Sequence, residues 1–106
     1  MIMLVSIDKY KQFDEERFTK IDMIKHPQSV AFMLNFLPMQ HMKPHGHPGK
    51  ELYLLVVDGE GTFIIDGEEK EVSVGDVLYC TPEEQIGFTN TSEERVSIYV
   101  TMTKIG

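Results

Sequence analysis

The chain has 106 residues, which is enough for one domain with a single core and too few for two. Hydrophobic residues make up 42% of it, a globular share that excludes intrinsic disorder. Lys and Arg number 10 against 17 Asp and Glu, and the formal net charge of -7 repels nucleic-acid phosphates. We therefore expect a single domain over residues 1–106 that does not bind nucleic acid.

The cysteine count and the apolar runs predict the cellular compartment of the protein. A single Cys cannot form an intrachain disulfide. The start of the chain has no basic flank, and Asp8 interrupts it before a signal-peptide core could form. The longest apolar run, Leu52 to Val57, is far shorter than the ~18 residues that a membrane-spanning helix needs. These features predict a cytoplasmic protein with no membrane span.

Short apolar stretches with a period of two, separated by turn residues, predict an all-β fold of about eight or nine strands. In chain order, the predicted strands are 18–25, 29–37, 52–57, 62–65, 70–74, 77–81, 87–90 and 95–103. The stretch from Asp14 to Phe18 begins with three acidic residues, which would suit the first turn of a helix. Asp66-Gly67 lies between two apolar runs and predicts a hairpin turn of type I′.

The stretch HMKPHGHPGKE contains the residues best suited to chemistry. His45 and His47 are two apart, so on an extended strand their imidazoles share one face with Cα atoms about 6.5 Å apart. Glu51 has the same parity, and a turn at Pro48-Gly49 could bring its carboxylate over that face. Two imidazoles and a carboxylate suit Fe, Mn, Ni or Zn and leave positions open for water or substrate. These residues predict a divalent metal site; the alternative is a solvated loop without function.

The wider pattern resembles the cupin superfamily, whose members are small jelly-roll barrels of the double-stranded β-helix type. The first cupin motif, two His followed by Glu and Gly, matches His45, His47, Glu51 and Gly59. One residue more than usual separates Glu51 from Gly59, which predicts a β-bulge. The second motif matches Gly75, Asp76, Pro82, Phe88 and Asn90. The resemblance covers roughly residues 29–102 and implies a metal bound inside the barrel.

One ligand position departs from the family. The second motif normally supplies a metal-binding His, and Ile86 stands at that position, so the fourth ligand is absent. His41 has the strand parity of His45 but lies about 13 Å away along an extended strand. Gln85 adjoins the lost position with the opposite parity. Both remain candidates for a replacement ligand.

Two classes of function fit these residues. In the first, a metal-dependent cupin binds or acts on a small molecule, and the cation offsets the cost of an acidic side chain in an apolar interior. The resemblance implies dioxygenase, isomerase, decarboxylase or lyase chemistry, and no residue selects among them. In the alternative, the missing ligand marks a degenerate site, and the chain is a non-catalytic small-ligand-binding module or a structural protein.

Two features outside the motifs lead to further expectations. The apolar segment from Ile2 to Ile7 could add a strand to the sheet of a neighbouring copy, which predicts the homodimer that is common in this family. Cys80 lies within an apolar strand and is expected to be a buried core residue rather than a nucleophile.

Overall fold

The computed structural model describes residues 2–105, and these form nine β-strands and one short 3-10 helix, Ile7–Tyr10. The strands are β1 (Thr19–Lys25), β2 (Ser29–Phe36), β3 (His41–Gly46), β4 (Lys50–Asp58), β5 (Glu60–Ile65), β6 (Glu68–Ser73), β7 (Val77–Cys80), β8 (Gln85–Thr89) and β9 (Val96–Lys104). The all-β prediction is confirmed. The helical turn expected from Asp14 is wrong, because the Asp14 carboxylate accepts a hydrogen bond from the backbone N–H of Glu16 at 2.7 Å, which favours a local turn over a helix.

The strands form two antiparallel sheets. The larger has the strand order β1-β2-β9-β4-β7 and the smaller the order β3-β8-β5-β6. Residues with a period of two on both sheets supply one shared hydrophobic core. Neighbouring strands in each sheet are seldom consecutive in sequence, and this order is that of the expected jelly-roll barrel.

The barrel has a filled end and an open end. Phe36 pairs with Val96 at one end of the larger sheet, and there the ring of Phe88 lies 4.8 Å from the rings of both Phe36 and Phe63. At the other end, Val30 pairs with Met102. Both are only partly buried and pack against the edge of the core. Aromatic packing therefore closes one end, and the interior opens at the end where Met102 lies.

The N-terminal segment is attached to the outer face of the larger sheet. Asn35 is fully buried there, and its Nδ2 donates to the Tyr10 carbonyl at 2.9 Å and to the Thr19 hydroxyl at 3.1 Å. Ser97 donates to the Asn35 Oδ1 at 2.8 Å. These bonds satisfy a buried amide, so they fix the segment in place. Within residues 2–105, no helix is both long and apolar enough to cross a membrane.

Candidate functional site

A cavity of about 180 Å³ lies between the two sheets at the open end of the barrel. Its polar lining residues are Lys20, His45 and His47. Its apolar lining residues are Phe18, Phe32, Leu34, Met42, Leu52, Leu54, Ile86 and Met102. A dry apolar cavity of ~150 Å³ is large enough to hold benzene, so this cavity suits a small organic molecule.

A β-bulge in β3 brings the first histidine to this cavity. The pairing of β3 with β8 shifts register between Met42 and His45, on either side of Pro44. Pro44 has no N–H to donate to the ladder, which makes it a favoured place for such a shift. Residues 42 and 45 have opposite parity, and a regular strand would point them to opposite faces. The shift allows both to line the cavity.

The two imidazoles lie together at the cavity mouth, with their ring centroids 4.6 Å apart. The His45 Nδ1 is 2.9 Å from the Lys43 carbonyl oxygen. A carbonyl only accepts, so this nitrogen donates its N–H, and in the neutral form of the His45 ring the Nε2 keeps a lone pair. The Nδ1 of His47 is buried and has no hydrogen-bond partner among the described residues.

The surroundings of His47 favour the neutral form of its imidazole. Burial lowers the pKa of the His47 imidazole below its ordinary value of 6.5. The charge that His45 carries when protonated and the positive charges of Lys50 and Lys20 lower that pKa further. His47 thus contributes to the cavity wall a ring whose uncharged form is favoured.

Glu51 does not join the two histidines, and the expected orientation of its side chain is corrected. Leu52 and Leu54 are the inward residues of β4, 3% and 1% exposed. Glu51 has the opposite parity and therefore faces the outside of the sheet. There its carboxylate accepts a hydrogen bond from the Tyr79 hydroxyl at 2.8 Å, and this bond is the main reason why the pKa of Tyr79 rises to about 12.

Leu52 occupies the interior position that the first motif implied for its acid. The one-residue excess before Gly59 means that the usual spacing leads back to Leu52 rather than to Glu51. The bulge expected between Glu51 and Gly59 is present, between Val56 and Asp58. Leu52, Leu54 and Val56 before it are all buried, so the bulge does not turn Glu51 inward. Leu52 and the fully buried Ile86 both line the cavity beside the histidines. Two of the four ligand positions therefore carry alkyl side chains.

Neither candidate replacement ligand reaches the cavity. His41 is exposed at the start of β3 and lines a separate surface depression with Arg17 and Met39. The side chain of Gln85 is exposed, since it alternates with the buried Ile86. Across residues 2–105, no three His, Cys, Asp or Glu side chains come together in a way that could hold a metal ion. The donor set is two imidazoles facing alkyl groups, and it does not fit a resident metal centre.

Two further residues from the motif region have structural roles. The Asn90 side chain is fully buried, and its Nδ2 donates to the Phe36 carbonyl at 3.2 Å and to the Glu94 carbonyl at 2.7 Å. Cys80 is also fully buried, as predicted, and burial is the main cause that raises the pKa of its thiol to about 11. A thiol of this kind is a poor nucleophile.

The lysines at the open end are a part of the site that the sequence pattern did not predict. Lys20 lines the cavity, and its ammonium lies 4.7 Å from the centroid of the Phe32 ring. Lys50 is close enough to His47 to lower its pKa. The sequence does show that Lys50 and Leu52 lie on the same face of β4, because they are two residues apart. This identifies Lys50 as an inward lysine only once the inward face of β4 is known.

A small antiparallel barrel with paired histidines at the mouth of an interior cavity defines a protein of the cupin class. The chain belongs to the cupin family, because the family model described as "Cupin domain" matches residues 32–102. No sequence among the curated proteins matches this chain.

Solved structures with the same fold are numerous. The structure of TT1209 from Thermus thermophilus has a TM-score of 0.92 at 18% identity, over 99% of this chain and 100% of that one. A double-stranded β-helix domain protein from Klebsiella pneumoniae has a TM-score of 0.89 at 21% identity, over 100% of this chain and 92% of that one. A predicted oxalate decarboxylase from Thermotoga maritima has a TM-score of 0.82 at 16% identity, over 97% of this chain and 100% of that one. At these identities, the similarity establishes the fold alone.

Proposed function

We propose that this cupin binds a small organic molecule inside its barrel without a resident metal, as a ligand-binding module rather than an enzyme. The observation that carries the proposal is the cavity of about 180 Å³, whose lining is apolar except for Lys20, His45 and His47. A concave, mostly apolar pocket with a few polar groups is the usual form of a small-molecule site.

The composition of the lining favours binding over catalysis. Among the described residues, the lining contains no carboxylate, hydroxyl or thiol. It therefore lacks an acid paired with the imidazoles, and it lacks the usual hydroxyl and thiol nucleophiles. The imidazoles of His45 and His47, which both line the cavity, can instead hydrogen-bond a polar group on the ligand.

The size of the cavity sets the scale of affinity for simple probes. A ligand with about eight non-hydrogen atoms, at roughly 0.6 kcal/mol per atom, would bind with about 5 kcal/mol. This corresponds to a Kd of roughly 0.2 mM. A probe at about 10 mM then stabilises the native state by about 2 kcal/mol, which raises the Tm by roughly 8 °C.

A thermal-melting series with benzyl alcohol and cyclohexanol tests this proposal. We expect both probes to raise the Tm of the wild type. Leu52→Phe fills the cavity and should abolish the shift, whereas Leu55→Phe adds the same volume on the outer face of β4 and should preserve it. If Leu52→Phe does not fold, Met102→Phe serves the same purpose from β9. Equal shifts in the cavity-filling and control variants would contradict the proposal.

A metal titration tests the metal-free part separately. Equimolar Mn, Fe(II), Ni or Zn should leave the Tm of the wild type where EDTA leaves it, because Leu52 and Ile86 provide no donor atoms. A rise in Tm that is lost in His45→Ala would overturn the metal-free proposal and favour a metal-dependent cupin.

A further inference from the structure

Two lysines face each other on the inner side of the larger sheet, at the open end of the barrel. In the antiparallel pairing of β4 with β9, Lys50 lies directly opposite Lys104. Each is two residues from an inward residue, Leu52 in β4 and Met102 in β9, so both have inward parity. Like charges placed directly opposite each other destabilise a sheet. None of the ion pairs found among residues 2–105 includes either lysine.

The two lysines line a second pocket of about 160 Å³. His26, in the turn between β1 and β2, lines the same pocket, and so does Met102. Met102 also lines the barrel cavity, so the two pockets adjoin across this one side chain. No carboxylate side chain from residues 2–105 lines either pocket.

The charge at this end of the barrel is opposite to that of the whole chain. The formal net charge is -7, yet the charged side chains that line the two pockets are Lys20, Lys50 and Lys104. Asp22, the acid of β1 with inward parity, is paired with Lys25 at 3.4 Å. A local cationic rim on an acidic protein attracts small anions from solution and orients them.

We propose that Lys50, Lys104 and His26 form an anion subsite beside the barrel cavity, and that the ligand is a small amphipathic anion. Its apolar body would fill the cavity, and its carboxylate would lie between the two ammonium groups. The anion would remove the repulsion across β4 and β9 and form charge-assisted hydrogen bonds. This inference rests on the proposed function, because it extends the same ligand out of the barrel cavity.

Calorimetric titration with hexanoate, 1-hexanol and hexylamine tests the inference, because the three probes share one apolar body and differ in the charge of the head group. For the wild type at low salt, we expect hexanoate to bind at least about 10-fold more tightly than 1-hexanol and hexylamine to bind more weakly than either. Salt at about 0.5 M should reduce the preference for hexanoate, because the subsite is open to solvent.

The variant Lys50→Gln/Lys104→Gln identifies the groups responsible. It removes a repulsive pair from a sheet, so it is expected to fold, and it should bind hexanoate and 1-hexanol equally well. The control Lys9→Gln/Lys70→Gln loses the same charge from two exposed lysines on other parts of the surface and should retain the preference.

The outcomes separate this inference from the proposed function. Binding of 1-hexanol without any preference for hexanoate would overturn the anion subsite and leave the proposed function intact. An undiminished preference in Lys50→Gln/Lys104→Gln would also overturn the subsite. If neither hexanoate nor 1-hexanol binds, the proposed function fails and the anion subsite fails with it.

Discussion

Rebuilding a metal site tests why this barrel lacks one. Leu52 and Ile86 stand where a carboxylate and a third imidazole would complete a four-ligand set with His45 and His47. The double variant Leu52→Glu/Ile86→His supplies both donors. We expect it to bind Ni or Zn tightly, whereas the wild type does not.

The expected loss of stability in the metal-free double variant follows from the burial of Leu52 and Ile86. Each of the two alkyl side chains is at most 3% exposed, and burying such a side chain is worth about 1.5–3 kcal/mol. Their removal should cost the metal-free variant about 3–6 kcal/mol, and the two polar groups that are then buried without a partner add to this cost. Metal at about 100 times its Kd returns about 2.7 kcal/mol, which raises the Tm by roughly 10 °C.

The assay is thermal melting of each variant with equimolar metal and with EDTA, after circular dichroism has established that the variant is folded. Leu55→Glu/Ile86→His is the matched control, because it adds the same two donors but places the carboxylate on the outer face of β4. An equal metal-dependent shift in the wild type, or no shift in the folded double variant, would refute the reasoning.

Three further predictions concern the rest of the chain. Cys80, whose pKa is raised to about 11, should react slowly with a disulfide reagent in the native state and fast in urea. The protonated thiol contributes fully to the free energy of unfolding below its ordinary pKa of 9.0, and this contribution is lost as the pH rises towards 11. Cys80→Ala should therefore flatten the decline of stability with pH in that range. Gly59→Ala should lower the free energy of unfolding in urea by at least about 2 kcal/mol, because φ is +81° and a Cβ would lie 2.3 Å from the Arg95 carbonyl oxygen. The control Gly67→Ala has φ +85° but open space around the new Cβ, so it should cost about 1 kcal/mol. Ile2 and Leu4 are 93% and 89% exposed, so we expect a homodimer that deletion of residues 1–7 converts to a monomer in sedimentation; an unchanged mass would contradict this.

Much of the fold follows from local pattern. The Asp66-Gly67 turn requires positive φ at both residues, and the observed values are 49° and 85°. Alternation predicted the strands before and after it, because a half-buried strand repeats every two residues. The closeness of His45 and His47 also follows from spacing, since residues two apart on extended chain lie near each other.

The face of Glu51 could not be predicted in this way. In ELYLLVV, both parities are apolar, with Leu52 and Leu54 on one face and Tyr53 and Leu55 on the other. A period of two is then compatible with either orientation. The pairing of Leu54 with the buried Val100 of β9 determines which face is inside, and this is a contact between distant parts of the chain.

The sequence by itself determined a small acidic β-barrel with two adjacent imidazoles, because strand period, turn chemistry and short spacings are local properties of the chain. Only the tertiary structure decided that Leu52 rather than Glu51 faces the cavity and that Lys50 lies opposite Lys104. Strand register between residues far apart in sequence sets both arrangements. Register depends on the packing of the whole core, and no local pattern encodes it.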